Sequence, residues 1–418
     1  MSSVVSGSPP QTPPAGKPVT HVRHDGYLAM FVPDSDLGGL HSFHFVVKRT
    51  YRFTHDDMIV PTEWQEALVL GDRYHEGGGP YDAALAVENE LGPPKPCTDV
   101  LVEANCYAPG GEATYCRPSV SIGKETRELI VMGDRFAVLR PGQKPIFTPA
   151  AKFSVLPIRY EFAYGGVDRQ HTLAPLMCPT NPIGMGFLLA PTEGSPPRDQ
   201  WTPLPNIEHP SSMVTVDTLL VPHDQLENVR APAGFGPVPK HWEPRSRFAG
   251  MPASAKPFWN LMHGAETQVG KMFREMQPSF WSCAAAGMAF PLLEGHEKIV
   301  LRHMTRDREE TSLRLPVSKP KLRAGFDDAP LQDVKLSLST VSIAVERGEV
   351  TLSWRGTLPS PEGLTLDKLQ RVPLEVDGEL VLPAPLVGTG FPLDLLKTSY
   401  PDLELLDVKG LPKPGGDA

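Results

Sequence analysis

His41-Ser42-Phe43-His44-Phe45-Val46-Val47-Lys48-Arg49-Thr50-Tyr51-Arg52-Phe53 sets large apolar side chains at Phe43, Phe45, Val47, Tyr51 and Phe53. Ser42, His44, Lys48, Thr50 and Arg52 fall between them. A period of two is that of a half-buried β-strand, with one face in a core and the other turned to water. The polar run His55-Asp56-Asp57 reads as a turn, and Met58 to Val60 as the start of a returning strand.

Moving outward, further short strands are predicted at Thr98–Tyr107 and, as a hairpin around Gly133-Asp134, over Glu128–Leu139. Lys152–Tyr164 places Leu156, Ile158, Tyr160, Phe162 and Tyr164 on one side and stops at Gly165-Gly166, where the chain is free to turn. After residue 290 the candidates are Lys298–Met304, Ser312–Val317, Val334–Val345 and Glu349–Trp354, the last two flanking a hairpin turn at Glu346-Arg347-Gly348. One helix is predicted, Ala255–Met276, where Phe258, Leu261, Met262, Val269, Met272 and Phe273 recur at helical spacing before Pro278.

Composition agrees with many short strands and few helices. The 418 residues include 47 prolines and 37 glycines, and proline breaks helix interiors and is excluded from central strands. The expected class is therefore mainly β (β-rich α+β): two β-sheet units joined by an irregular, proline-rich middle with one main helix. The middle, about Thr172 to Ala255, is too long for an unstructured connection and is expected to wrap over the sheets as ordered loops. The expected divisions are a flexible tail over 1–20, a first β-rich domain over 21–290, a C-terminal β-sheet unit over 291–412, and a short tail over 413–418.

The net charge of −9 is spread without a block, so the basic footprint that nucleic acid requires is missing. The longest apolar stretch, Trp281 to Leu293, is broken by Pro291 and is too short to cross a bilayer. No secretory leader is recognisable, which makes the cytoplasm the expected compartment. Cys97, Cys106, Cys116, Cys178 and Cys283 are an odd set without CxxC spacing and read as free thiols.

Catalytic signatures fail on inspection. Gly123-Lys124 is followed by Glu125 where a phosphate loop needs a hydroxyl. Gly184-Met185-Gly186 has Leu189 in place of the third glycine of a dinucleotide fingerprint. His296-Glu297 has Val300 where a zinc protease has its second histidine. His21, His24, His41, His44 and His55 gather near the N-terminus, yet a metal site also needs convergent geometry. No metal or other cofactor is expected.

Five segments share one order and spacing. They are Lys48 to Tyr51; Lys95-Pro96-Cys97-Thr98-Asp99 with its apolar continuation; Tyr160-Glu161-Phe162-Ala163-Tyr164-Gly165-Gly166; Asn181-Pro182-Ile183-Gly184-Met185-Gly186; and Pro205-Asn206-Ile207-Glu208 followed by Gly234-Phe235-Gly236 and Trp242-Glu243-Pro244-Arg245. Together they resemble the bacterial domain of unknown function 2169, found beside spike proteins in type VI secretion clusters. The resemblance covers about Lys48 to Phe290. It implies a cytoplasmic adaptor or chaperone, without cofactor, that binds a toxic effector encoded nearby and loads it onto a VgrG/PAAR-type spike. Relatives continue after the arginine with a Gly-Thr-Tyr-Asp type segment, where this chain has Phe248-Ala249-Gly250-Met251-Pro252.

Read physically, the glycines supply backbone conformations closed to other residues. Phe235 and Trp242 are anchors that pin loops. Asp99, Glu161 and Glu208 are expected to accept hydrogen bonds from loop amides, with Arg245 pairing one of them. The alternative to an adaptor is a hydrolase whose carboxylates or histidines are brought together by folding.

Overall fold

In a computed structural model the structure describes residues 20–24, 27–33, 42–54, 57–69, 71–90, 92–169, 176–249, 277–326, 330–359, 369–371, 374–376, 379–381 and 387–388. The protein is mainly β, as its composition and periodicity predict. Among the described residues the only α-helix is the single turn Glu243–Ser246. The expected helix over Ala255–Met276 lies outside them.

The centre is a nine-stranded sheet. Ser42–Phe53 pairs antiparallel with Tyr27–Pro33 on one side and Glu349–Pro359 on the other. Glu349–Pro359 turns back on Ser337–Ala344, the predicted hairpin, and Ser337–Ala344 runs parallel to Thr98–Glu103. Ile59–Pro61 returns on the end of Ser42–Phe53. Strands from both ends of the chain thus lie side by side. A second sheet, of four strands, joins Ser119–Ile122 to Lys298–Arg302. Two sheets therefore run across residue 290, and the division expected there does not follow the strand pairing. The reason is that non-local pairing leaves no mark on local periodicity.

Two other expectations change. Ile130–Met132 and Phe136–Leu139 do not form a hairpin, because each pairs in a separate three-stranded sheet. The alternation over Lys152–Tyr164 yields only the short strand Val155–Pro157 and a 3-10 turn at Tyr160–Phe162.

The strand faces follow the register. Phe45, Val47, Tyr51, Val100, Val102, Val341, Ile343, Val350, Leu352 and Trp354 share one face and enter the main apolar core. A smaller core forms within the irregular middle around Tyr164, Cys178, Phe187, Leu189, Leu204 and Leu219. That region, where described, is ordered loop structure with its own interior.

Candidate functional site

The polar face of the central sheet is not turned to water, contrary to the half-buried reading. Lys48 is 2% exposed and Thr50 1%, because the chain from Thr62 to Glu90 folds back over them. Lys48 Nζ lies 3.2 Å from Glu90 Oε2 and 3.6 Å from Glu66 Oε2, and donates to the Ala67 carbonyl at 3.0 Å. Glu90 also accepts from the Val69 amide and from Ser353 Oγ. A buried charge is tolerable only when paired and hydrogen-bonded, and Glu90 meets that condition from three directions.

A second knot forms at the edge of Thr98–Glu103. Asp99 is fully buried and accepts from Lys95 Nζ at 2.5 Å, Ser282 Oγ at 2.6 Å and the Cys283 amide at 2.8 Å. Burial alone would lower the Lys95 pKa, yet Asp99, with Cys283 and Glu88, outweighs it and holds the ammonium above its usual range. The neighbouring Cys283 thiol is pushed up to about 12, first by burial. Next to this knot, Arg245 Nη1 bonds Glu88 Oε1 at 2.6 Å and the Val238 carbonyl at 2.7 Å, while Nε and Nη2 reach the Phe280 carbonyl. Burial would raise the Glu88 carboxyl, but Arg245, Lys240 and Lys95 hold it well below the usual range. Arg245 thus pairs with Glu88 and with none of the three acids expected from the motifs.

Those three acids accept loop amides instead: Asp99 from Cys283, Glu161 from Ala84 and Glu208 from Val214. Arg135 pairs Glu208. Asn206 Nδ2 donates to the Met132 carbonyl and to Asp134, and Pro205 packs over Gly186.

The aromatic motif residues form one cluster. Tyr160 donates to the Gly236 carbonyl at 2.7 Å and meets Trp242 edge-on, with ring centroids 5.3 Å apart. Phe235 and Trp242 are both 1% exposed. Gly234 is needed for space rather than for a positive φ, since a Cβ there would stand 2.6 Å from the Tyr160 ring. Asn181 ties the glycine loops together, donating to the Tyr160 and Tyr164 carbonyls. Gly166 has φ +98, and a Cβ on it would stand 2.3 Å from the Gly184 carbonyl oxygen. Gly165 and Gly184 approach Asn181 just as closely, and Arg230 sits over the Tyr164 ring. Tyr51 belongs to the main core.

Between the sheet's polar face and the 84–95 and 234–237 segments lies a cavity of about 150 Å³. It is lined by Lys48, Lys95, Tyr160, Cys283 and Arg355 among others. Glu88, Glu90, Ser282 and Arg355 complete the assembly and were not read from the sequence. The acidic Glu88-Asn89-Glu90 directly after the apolar run Ala83–Val87 is the signal that could have found two of them.

Among the described residues no group of three histidine, cysteine, aspartate or glutamate side chains is placed to hold a metal. His44 lies beside Thr357, and His41 and His55 are outside the described residues. Cys106, Cys116, Cys178 and Cys283 are buried free thiols, and Cys97 is half-buried. No described helix is long and apolar enough to cross a membrane.

Comparison with curated proteins and with solved structures finds no match. A family model matches residues 39–355, a span that takes in both buried charge knots, the aromatic cluster and the glycine loops. The chain belongs to the family described as an uncharacterized protein conserved in bacteria (DUF2169).

Proposed function

We propose that this protein is a non-catalytic adaptor or chaperone of the bacterial cytoplasm that binds a type VI secretion effector and helps load it onto a VgrG/PAAR-type spike. The type VI assignment comes from the motif series and its resemblance. The binding role is carried by one surface. In the three-stranded sheet of Ile146–Phe147, Phe136–Leu139 and Gln200–Pro203, Val138 stands opposite both Ile146 and Trp201. Phe136 shares that face and meets the Trp201 ring at a tilt of 55°, with centroids 6.0 Å apart. Ile146 and Trp201 are each 64% exposed and Phe136 37%, while Ala137 and Leu139 on the reverse face enter the second core. Large apolar side chains grouped in the open mark protein-binding surfaces, and exposed aromatics supply most of the energy in such contacts. The motif residues, most of them buried, hold the loops that present this face.

The test is co-expression with the neighbouring effector. The complex is expected to co-purify, to survive moderate salt because the contact is apolar, and to be lost in a Phe136→Asp/Trp201→Asp double variant that keeps its melting temperature. A deletion strain should stop exporting that effector while the secretion tube still fires. An effector that neither co-purifies nor depends on this protein for export ends the adaptor reading.

A hydrolase is the second reading, favoured by the part-exposed Glu66 and Glu349 lining one cavity. Under it, Glu66→Gln and Glu349→Gln would abolish function without disturbing effector binding.

A further inference from the structure

The buried cations of the central assembly are matched by carboxylates, with one exception. Lys48 has Glu90 at 3.2 Å, Lys95 has Asp99 at 2.5 Å and Arg245 has Glu88 at 2.6 Å. Arg355, only 4% exposed, has no carboxylate partner among the described residues. Its Nε makes no hydrogen bond, and its one hydrogen bond is a long one, from Nη1 to the Pro93 carbonyl at 3.4 Å. A guanidinium carries five donors. Lys95, a like charge, lies close enough for the two cations to act against each other. A buried, unmatched charge is costly, and such groups are normally paired. Arg355 also lines the cavity of about 150 Å³ described above.

We propose that Arg355 anchors a binding site for a small monoanion, a carboxylate group on a hydroxyl-bearing molecule. The fork of an arginine suits a bidentate oxyanion. From Arg355 the same strand face presents Ser353 and then Thr351, with Thr340 and Ser342 opposite them on the neighbouring strand. All four hydroxyl side chains line the cavity. Ser353 and Thr351 already donate to Glu90 and Glu66 and offer their lone pairs. A hydroxyl can accept as well as donate, so this row matches the polar body of a polyol and not an apolar one. Glu66, Glu88 and Glu90, paired with Lys48 or Arg245, also line the cavity, and at the far end stand Glu103, Glu346 and Glu349. Glu349 is six residues from Arg355, or roughly 20 Å along a strand. The carboxylates along the lining disfavour a second negative charge and select a ligand with only one. The volume corresponds to about five waters, the size of a small sugar acid and too little for a peptide chain. The site goes beyond the adaptor reading and does not depend on it.

The test is thermal unfolding of the full-length protein with gluconate, lactate and inorganic phosphate, each against chloride at equal ionic strength. Gluconate is expected to raise the melting temperature with the logarithm of its concentration, by roughly 3 °C at about 100 times its Kd. Lactate, with a single hydroxyl, should do so at a higher concentration. In Arg355→Met the rise should vanish. Calorimetric titration of gluconate into wild-type and Thr340→Val protein keeps the question open to refutation should Arg355→Met fail to fold, with binding to the valine variant weakened several-fold. Equal melting temperatures in every anion, an equal rise in Arg355→Met, or a rise with phosphate and none with gluconate would each overturn the assignment.

Discussion

Arg245 and Arg355 are both buried arginines beside the same sheet, and they are built in opposite ways. Arg245 meets a carboxylate and two backbone carbonyls, all within 3.1 Å. Arg355 meets one carbonyl at 3.4 Å. The first is a closed circuit that fixes three loops to one another. The second is an open one, with donors left over beside a cavity. Saturated pairing is what structural arginines need, whereas unsatisfied donors beside free volume are what ligands need.

The contrast can be broken by experiment. The largest effect is expected from Arg245→Met, which leaves Glu88 buried with Lys240 at 3.5 Å as its remaining ion-pair contact. A loss of about 3–5 kcal/mol in urea unfolding is expected, partly restored when Glu88→Gln is added. An Arg245→Met protein as stable as the parent would dissolve the distinction between the two arginines.

Within the same closed region, Gly166→Ala forces a side chain into the positive-φ conformation and against the Gly184 carbonyl. It should cost about 1–3 kcal/mol, read as a lower midpoint with an unchanged slope. An unshifted midpoint would mean that the glycine loops relax independently of the knots.

Acid should open the closed circuit. Burial depresses the pKa values of His75, His209 and His241 below 6.5, and the arginine and lysine partners hold Glu88 below 4.5. In each case the unfolded chain binds protons first, so stability rises with pH. It should be fully present above about pH 6.5, decline as the histidines charge in the unfolded chain, and fall further below about pH 4.5 as Glu88 begins to count. Glu208, raised by burial, opposes this trend. Melting temperatures in a buffer series check the sign, and a flat profile from pH 7 to 4 contradicts it.

The smallest change is expected from Arg355→Met in plain buffer. Removing an unmatched buried charge should leave stability within about 1 kcal/mol of the parent or above it. A loss as large as that of Arg245→Met would show that Arg355 has a structural partner after all.

The central strand was legible because Phe43, Phe45, Val47, Tyr51 and Phe53 recur at a period of two over twelve residues, broken only by Val46 and Arg49. The 337–359 hairpin was legible because its two halves are adjacent in sequence. What stayed hidden were relations between distant segments. Alternation shows that Lys48 and Thr50 avoid the apolar core, but not that the Thr62–Glu90 segment covers them. The parallel pairing of Thr98–Glu103 with Ser337–Ala344 spans most of the chain. The same holds in the site. Asp99, Trp242 and Arg245 could be picked out from the motifs, but Glu88, the partner of Arg245, lies 157 positions away. Arg355 sits at an ordinary place in a strand pattern, and only its missing partner sets it apart.

The pairing of Ser42–Phe53 with Glu349–Pro359 also sets a clock on synthesis. A ribosome finishing the first strand must add about 300 more residues before its neighbour emerges, roughly 15 to 60 s at about 5–20 residues per second. Throughout that interval a long apolar strand has one edge without its final partner, and such edges recruit other chains. Native yield should therefore track the speed of translation and the supply of holdase during growth, more than the stability of the finished fold.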